Sequence, residues 1–308
     1  MSTLRGHVDD YLRLRRALGF KLERHAQILP QLVCYLEAAG AGTVSSELAI
    51  SWARLPAVAH PRHWAGRLAI ARGFAAYLQT IDPTAEVPPA GVFAVRYQRP
   101  TPYLWSRREI CRLLEQARAL RPPLKAASFE TLFGLLAVSG IRVGEAVALE
   151  LGDVDLEQGV ITIRDRVAKL ERARLLPLHP TTVDALDRYA AERARLCPHP
   201  RSRAFFLSAA GTAIDRGQVS KTLRTITTAT GLRTATVHPR AHDLRHSFAV
   251  SKLVNWQRSG VQIDERIGAL STYLGHVSPA ETYWYLTATP ELMGLAADRL
   301  EQRFGARP

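Results

Sequence analysis

Prolines crowd one stretch of this chain, IDPTAEVPPAGVFAVRYQRPTPYLW, at Pro83, Pro88, Pro89, Pro100 and Pro102. Proline has no amide donor and biases the residue before it toward extended backbone, so this stretch cannot run as a helix. It marks a seam. A chain of 308 residues is also long for a single core, since domains cluster at roughly 100–200 residues. The expected organisation is a first domain over 1–82, a linker over 83–103, and a second domain over 104–308. Hydrophobic residues at 47% and charged residues at 22% exclude a disordered or fibrous chain and allow a sizeable core in each part.

Before the seam, VDDYLRLRRALGF, ERHAQILPQLVCYLEAAG, SSELAISWARL and PRHWAGRLAIARGFAAYLQTI repeat apolar residues at three- and four-residue intervals. Gly19, Gly40 and Pro61 punctuate them, which predicts a small all-helical domain. After the seam, SRRE at Ser106–Glu109 has the spelling of a capping box, and the helix REICRLLEQARAL follows it. FETLFGLLAVSGIRVGEAVAL then reads as an apolar segment, a turn at Gly140 and a second helix beginning near Arg142. In GVITIRDRVAKLERARLLPLHP, Ile161 and Ile163 alternate with polar neighbours and Leu175 and Leu176 precede Pro177, the pattern of strands joined by a basic turn. The remainder is helical. The fold class is therefore mainly α with a small antiparallel β-sheet.

Charge narrows the partner. Lys and Arg number 41 against 28 Asp and Glu, a formal net charge of +13, and the excess is mostly arginine, whose planar fork suits phosphate. A polyanion, nucleic acid above all, is the expected partner, although a solvated basic surface would carry the same composition. In the helical half, Arg13, Arg15, Arg16, Arg62, Arg67 and Arg72 fall where the polar stripes of amphipathic helices lie. Of these, Arg13, Arg16, Arg62, Arg67 and Arg72 are the candidate DNA contacts. Cys34, Cys111 and Cys197 are far apart and odd in number, as expected of reduced packing residues in a cytoplasmic, bacterial protein. No secretory signal is visible at the N-terminus, and the longest apolar run, TLFGLLAVSG, is about half a membrane span.

The chemistry is concentrated in HPRAHDLRHSFAV, His238 to Val250. His242 and His246 stand four apart, close to the spelling of a helical zinc site in which an intervening glutamate acts as base. Here the acid is the shorter Asp243, and Arg245 puts a cation on the same turn, which opposes a divalent metal. His242 and Arg245, three apart on one helical face, suit an oxyanion instead: one moves a proton while the other neutralises charge. Three further fragments fit that reading. Arg142 and Glu145 share a face at a helix start, Lys169 lies in the basic turn, and LGHVSPAETYWYL places His276 after a glycine and Tyr285 nine residues later. Singly, each has an ordinary structural explanation as an ion pair, a solvated lysine or core aromatics.

In order and at these spacings, Arg142 with Glu145, Lys169, His242 with Arg245, His276 and Tyr285 resemble the catalytic set of the tyrosine recombinases, the phage integrases and their relatives. The resemblance spans the second domain, and the first looks like the family's DNA-clamping domain. Two features depart from the usual pattern: the VAKLER turn has no glycine, and NWQRSGVQIDERIGALSTY, between H-x-x-R and L-G-H, is long. Together with TYWYL, that length is similar to integrases borne by transposons.

The resemblance implies a site-specific recombinase that cuts and rejoins DNA without metal, ATP or other cofactor. Tyr285 would attack phosphorus, form a 3′-phosphotyrosyl link and expel a 5′-hydroxyl. Arg142, Arg245 and His276 would hold the phosphate, Lys169 would protonate the leaving group, His242 would shuttle the tyrosine proton, and Glu145 would orient the arginines. Strand exchange between two duplexes implies a homo-tetramer on double-stranded DNA, other recombinases or accessory proteins being further partners. Leu292, Leu295, Ala296 and Leu300 are spaced for a last helix that docks on a neighbouring protomer or on its own core. Competing readings are a non-catalytic DNA-binding protein, a type IB topoisomerase, and a zinc hydrolase using His242, His246 and His276.

Overall fold

The computed structural model describes residues 3–93, 101–164, 173–276, 278, 280–287 and 294. Lys169, residues 94–100 of the expected linker and the expected last helix lie outside the described residues. The chain divides into two compact units, 1–99 and 100–308.

Four helices build the first unit: α1 (Leu4–Ala17), α2 (Glu23–Ala38), α3 (Ser46–Arg54) and α4 (Pro61–Leu78). Their starts follow capping chemistry. The Thr3 hydroxyl accepts from the Gly6 amide, the Ser45 hydroxyl from the Leu48 amide, and Pro61 opens α4 where an amide would have no helical partner. Tyr11, Leu29, Leu32, Leu36, Trp52, Phe74 and Leu78 meet in one core. Each such side chain, fully withdrawn from water, stabilises the fold by roughly 1.5–3 kcal/mol before entropy is counted.

Part of the proline-rich stretch belongs to this unit. Ala85 is buried in its core with Val87, Val92 and Phe93 packed alongside. Arg72 Nε donates to the Pro88 carbonyl at 2.6 Å, and the Ser46 amide donates to the Glu86 carboxylate at 2.8 Å. Proline forbids a helix here but not packing, because extended chain can still present apolar side chains and carbonyls to a neighbour.

The second unit is mainly helical with one small sheet. Its elements are α5 (Arg107–Arg118), α6 (Pro123–Ser139), α7 (Val143–Val147), a 3₁₀ turn at Leu151–Asp153, β1 (Val154–Asp155), β2 (Val160–Ile163) and β3 (Arg174–Pro177). There follow α8 (Pro180–Leu196), α9 (Arg216–Ala229), α10 (Ala241–Arg258), α11 (Ile263–Leu274), α12 (Ala280–Tyr283) and a 3₁₀ turn at Trp284–Thr287. The capping box of α5 is present in full, with Ser106 and Glu109 satisfying each other's backbone amides.

The strands pair antiparallel in the order β1-β2-β3, with Ile161 opposite Leu176 and Ile163 opposite Arg174. Side chains alternate across a strand, so Arg174 shares the inner face of β3 with buried Leu176. The helix α6 ends at Gly140, whose left-handed backbone (φ 62°) closes the last turn. A Cβ there would stand 2.5 Å from Phe248 Cδ1 and 3.0 Å from Leu274 Cδ2. The close approach seats the chain between α10 and α11, where the site forms.

Candidate active site

Four separate stretches meet around one buried carboxylate. Glu145, on α7 and 2% exposed, accepts from the Arg142 backbone amide at 3.1 Å and from Arg142 Nη1 at 2.8 Å. Arg174 approaches from β3 with Nη2 at 2.7 Å and Nη1 at 3.1 Å from the two carboxylate oxygens. Burial alone would raise the Glu145 carboxyl, but Arg174 and then Arg142 outweigh it and hold it below its ordinary value. The carboxylate stays ionised and fixes both guanidiniums.

Those guanidiniums also grip the segment carrying His276. Arg142 Nη2 donates to the Gly275 carbonyl at 2.5 Å, and Arg174 Nε donates to the Tyr273 carbonyl at 3.1 Å. Gly275 ends α11 with φ 67°, and a Cβ there would fall 2.7 Å from Arg174 Nη1. Arg174 belongs to the site as closely as Arg142 does, and the sequence reading passed over it. The signal available was its place on the inner face of a strand directly after the basic turn.

Arg245 is 2% exposed on α10. Its Nη1 donates to the Gly140 carbonyl at 2.7 Å and its Nη2 to the Leu274 carbonyl at 2.8 Å. Burial, followed by the charge of Arg142, pushes its pKa down to about 10, which leaves it cationic at neutral pH. A guanidinium has five donors. Among the described residues, Arg142 and Arg245 each direct two of them at these partners.

The aromatic side of the site stands on α10, α12 and the turn after it. Tyr285 is 2% exposed, and its ring centroid lies 5.5 Å from His246 and 6.0 Å from His276. His246 stands 4.6 Å from the ring of His242, itself exposed, and 5.4 Å from Trp284. Tyr283, two residues earlier, is 43% exposed. His276 Nδ1 is 2.6 Å from the Thr282 hydroxyl. Burial first, then the charges of Arg245, Arg142, His242 and Arg174, push the pKa of His276 down to about 3, so its ring is neutral where the protein would work.

Beneath the site, Asp243 is fully buried and accepts from the Arg240 amide at 2.7 Å and from Arg240 Nη2 at 3.1 Å. It caps α10, with both carboxylate oxygens held by Arg240. Among the described residues, no group of three or more His, Cys, Asp or Glu side chains could hold a metal ion. His242, His246 and His276 therefore do not assemble as the zinc reading requires. No described helix is long and apolar enough to cross a membrane.

The candidate DNA-binding arginines separate by burial. Arg67 is 7% exposed, stacked 3.9 Å over the Trp52 ring, and donates to Gln31 Oε1 and the Trp52 carbonyl. It is a packing residue, because its aliphatic stem and planar head fill the space between α2, α3 and α4. Arg72 is half-buried and holds the Pro88 carbonyl. Arg13 pairs with Asp10, while Arg16 and Arg62 are exposed.

Residues 106–291 match the phage integrase family. The chain is 41% identical over its whole length to all of y4rB of Sinorhizobium fredii, a protein named as an integrase/recombinase. It is 31% identical to the tyrosine recombinase XerC of Chromobacterium violaceum, over 73% of this chain and 69% of that one. Among solved structures, the Tn1549 transposon integrase in complex with transposon right end DNA shares the fold at TM-score 0.62 and 16% identity, with 97% of this chain and 99% of that chain covered. A catalytic-domain match over more than half the chain, a full-length relative and a shared fold agree: this chain belongs to the phage integrase family, the tyrosine recombinases.

Proposed function

We propose that the chain is a site-specific DNA recombinase in which Tyr285 is the nucleophile and the Arg142, Arg245 and His276 side chains receive the scissile phosphate. The observation that carries this reading is the convergence of two carbonyl-anchored guanidiniums, Arg245 buried and Arg142 half-buried, with a histidine and a tyrosine whose rings stack. Tyrosine, with an ordinary pKa of ~10, is a poor nucleophile unless its proton is removed and the charge growing on phosphorus is balanced. The remaining donors of Arg142 and Arg245 supply that balance in a site shielded from water, where fixed charges act most strongly.

Attack by the Tyr285 oxygen forms the phosphotyrosyl bond and breaks the bond to the 5′-oxygen, which leaves as a hydroxyl once protonated. Lys169 is the proposed acid for that step and His242 the proposed proton acceptor for Tyr285. A 5′-hydroxyl from another strand reverses the chemistry, since the ester energy is retained in the phosphotyrosine. Exchange between two duplexes calls for four protomers on paired double-stranded sites. The Tn1549 integrase, solved with transposon end DNA, supports mobile-element DNA as the substrate, with transposition or integration as the outcome.

The test is to incubate the protein, with chelator present, with DNA spanning the ends of its own genetic element, then denature and map the protein–DNA adduct. The expected result is an adduct on Tyr285 that Tyr285→Phe abolishes. Tight, salt-sensitive binding with no adduct, even on a nicked trapping substrate, would instead establish a DNA-binding protein without catalysis.

A further inference from the structure

We propose that Thr282 is a positioning residue that sets the tautomer of His276, donating its hydroxyl proton to Nδ1 so that the ring carries its own proton on Nε2. The inference rests on the reading of His276 as a phosphate ligand and adds the residue that makes it a donor there.

A contact of 2.6 Å between a hydroxyl and a ring nitrogen can run in either direction, and donor counting decides it. Thr282 is fully buried. Were Nδ1–H the donor, the threonine proton would need a different acceptor, and a buried donor left without one costs about 1–3 kcal/mol. Among the described residues, His276 is the only hydrogen-bond partner of that hydroxyl. Other helical threonines discharge their proton onto the carbonyl four residues back, as Thr227 does onto Leu223, Thr230 onto Ile226 and Thr272 onto Gly268. Thr282 makes no such bond among the described residues, and α12 begins only at Ala280. With His276 its acceptor among the described residues, the hydroxyl proton is assigned to Nδ1.

The direction matters because the ring has one proton to place. Arg245, Arg142, His242 and Arg174 all oppose a second, so whichever nitrogen faces Thr282 decides what the other can do. With Nδ1 accepting, Nε2 is a donor suited to a non-bridging phosphate oxygen and unsuited to taking the Tyr285 proton. Base chemistry then falls to a group other than His276. Thr282 also stands three residues before Tyr285, so one short segment places the nucleophile and orients the histidine that faces it.

Thr282→Val keeps the shape and removes the hydroxyl, and Thr282→Ser restores the hydroxyl without the methyl. Two readouts apply to the full-length protein: long-range proton–nitrogen NMR correlations of the His276 ring, and single-turnover cleavage of a nicked trapping substrate from pH 5 to 9. Wild type and Thr282→Ser are expected to show protonated Nε2 and bare Nδ1. Thr282→Val is expected to show mixed tautomers and cleavage slowed roughly tenfold or more, toward the 10²–10³ that loss of one charge-stabilising donor costs, with DNA affinity unchanged.

A proton on Nδ1 in the wild type overturns the assignment whatever the activity, and so does a folded Thr282→Val that cleaves at the wild-type rate with the wild-type pH profile. Protonated Nε2 in a wild-type protein that forms no adduct supports the tautomer assignment and removes instead the recombinase reading of the site. Should Thr282→Val fail to fold, the wild-type and Thr282→Ser spectra still decide the direction of the bond.

Discussion

Arg174 and Glu145 are joined by two hydrogen bonds, 2.7 Å to one carboxylate oxygen and 3.1 Å to the other, across 29 residues of chain. Both groups are nearly withdrawn from water, so neither charge can be removed cheaply. Cutting one partner from a buried pair leaves the other charge uncompensated, at a cost of roughly 3–5 kcal/mol. Arg174→Gln is expected to lose about that much stability in urea denaturation. Arg174→Lys is expected to fall between, because an ammonium keeps the charge but cannot span both oxygens and the Tyr273 carbonyl together.

Acid should find the same carboxylate. The Glu145 pKa is held below its ordinary value in the folded chain, so the unfolded chain binds the proton more readily. Its contribution to stability is complete above the unfolded carboxyl pKa, near 4.3, and is lost as pH falls through the lower folded value. Stability of wild type and Glu145→Gln, measured by denaturant titration between pH 7 and pH 3, should differ most at neutral pH and converge as the medium becomes acidic. A constant gap across that range would show that the charge of Glu145 is not what holds the arginines.

Gly140 is expected to refuse any side chain. Its left-handed backbone alone costs an ordinary residue roughly 1–2 kcal/mol, and a Cβ there would press on Phe248 and Leu274. Gly140→Ala should lower the unfolding midpoint by more than the backbone cost. It should also slow cleavage, since the Gly140 carbonyl anchors Arg245.

The arginines of the helical unit should divide under mutation. Arg16→Ala and Arg62→Ala are expected to weaken DNA binding and lower the slope of log affinity against log salt by about one each, as lost phosphate contacts do. Arg67→Met is expected to destabilise the unit, through loss of the Trp52 stack and the Gln31 bond, while leaving the salt slope as it was. Filter binding across salt concentrations, paired with thermal melts, separates the two behaviours.

How far the sequence could be read depended on the range of the interaction. The capping box of α5, the four N-terminal helices and the β2–β3 pair were legible because each is written within a turn or two of chain. Arg142 with Glu145 was legible as a same-face pair for the same reason. Arg174 was not, since its partners lie far along the chain and strand alternation says only that it points inward. Arg67 was placed on a solvent stripe because a single helix cannot say which of its arginines passes beneath a tryptophan on another. Residues 84–93 looked like linker because prolines report what the backbone cannot do and are silent about what Ala85 or Phe93 will pack against.

The two carbonyls that hold Arg245 lie 105 residues before it and 29 after it. Such an anchor behaves as a clasp on a long loop, and the entropy of closing a loop grows only with the logarithm of its length. Doubling the longer span would cost about 0.6 kcal/mol, less than one hydrogen bond to a charged group contributes. The clasp is therefore tolerant of growth in the chain it closes: surface segments between α7 and α10 can lengthen, shorten and diverge to suit a new stretch of DNA while the guanidinium stays where it is.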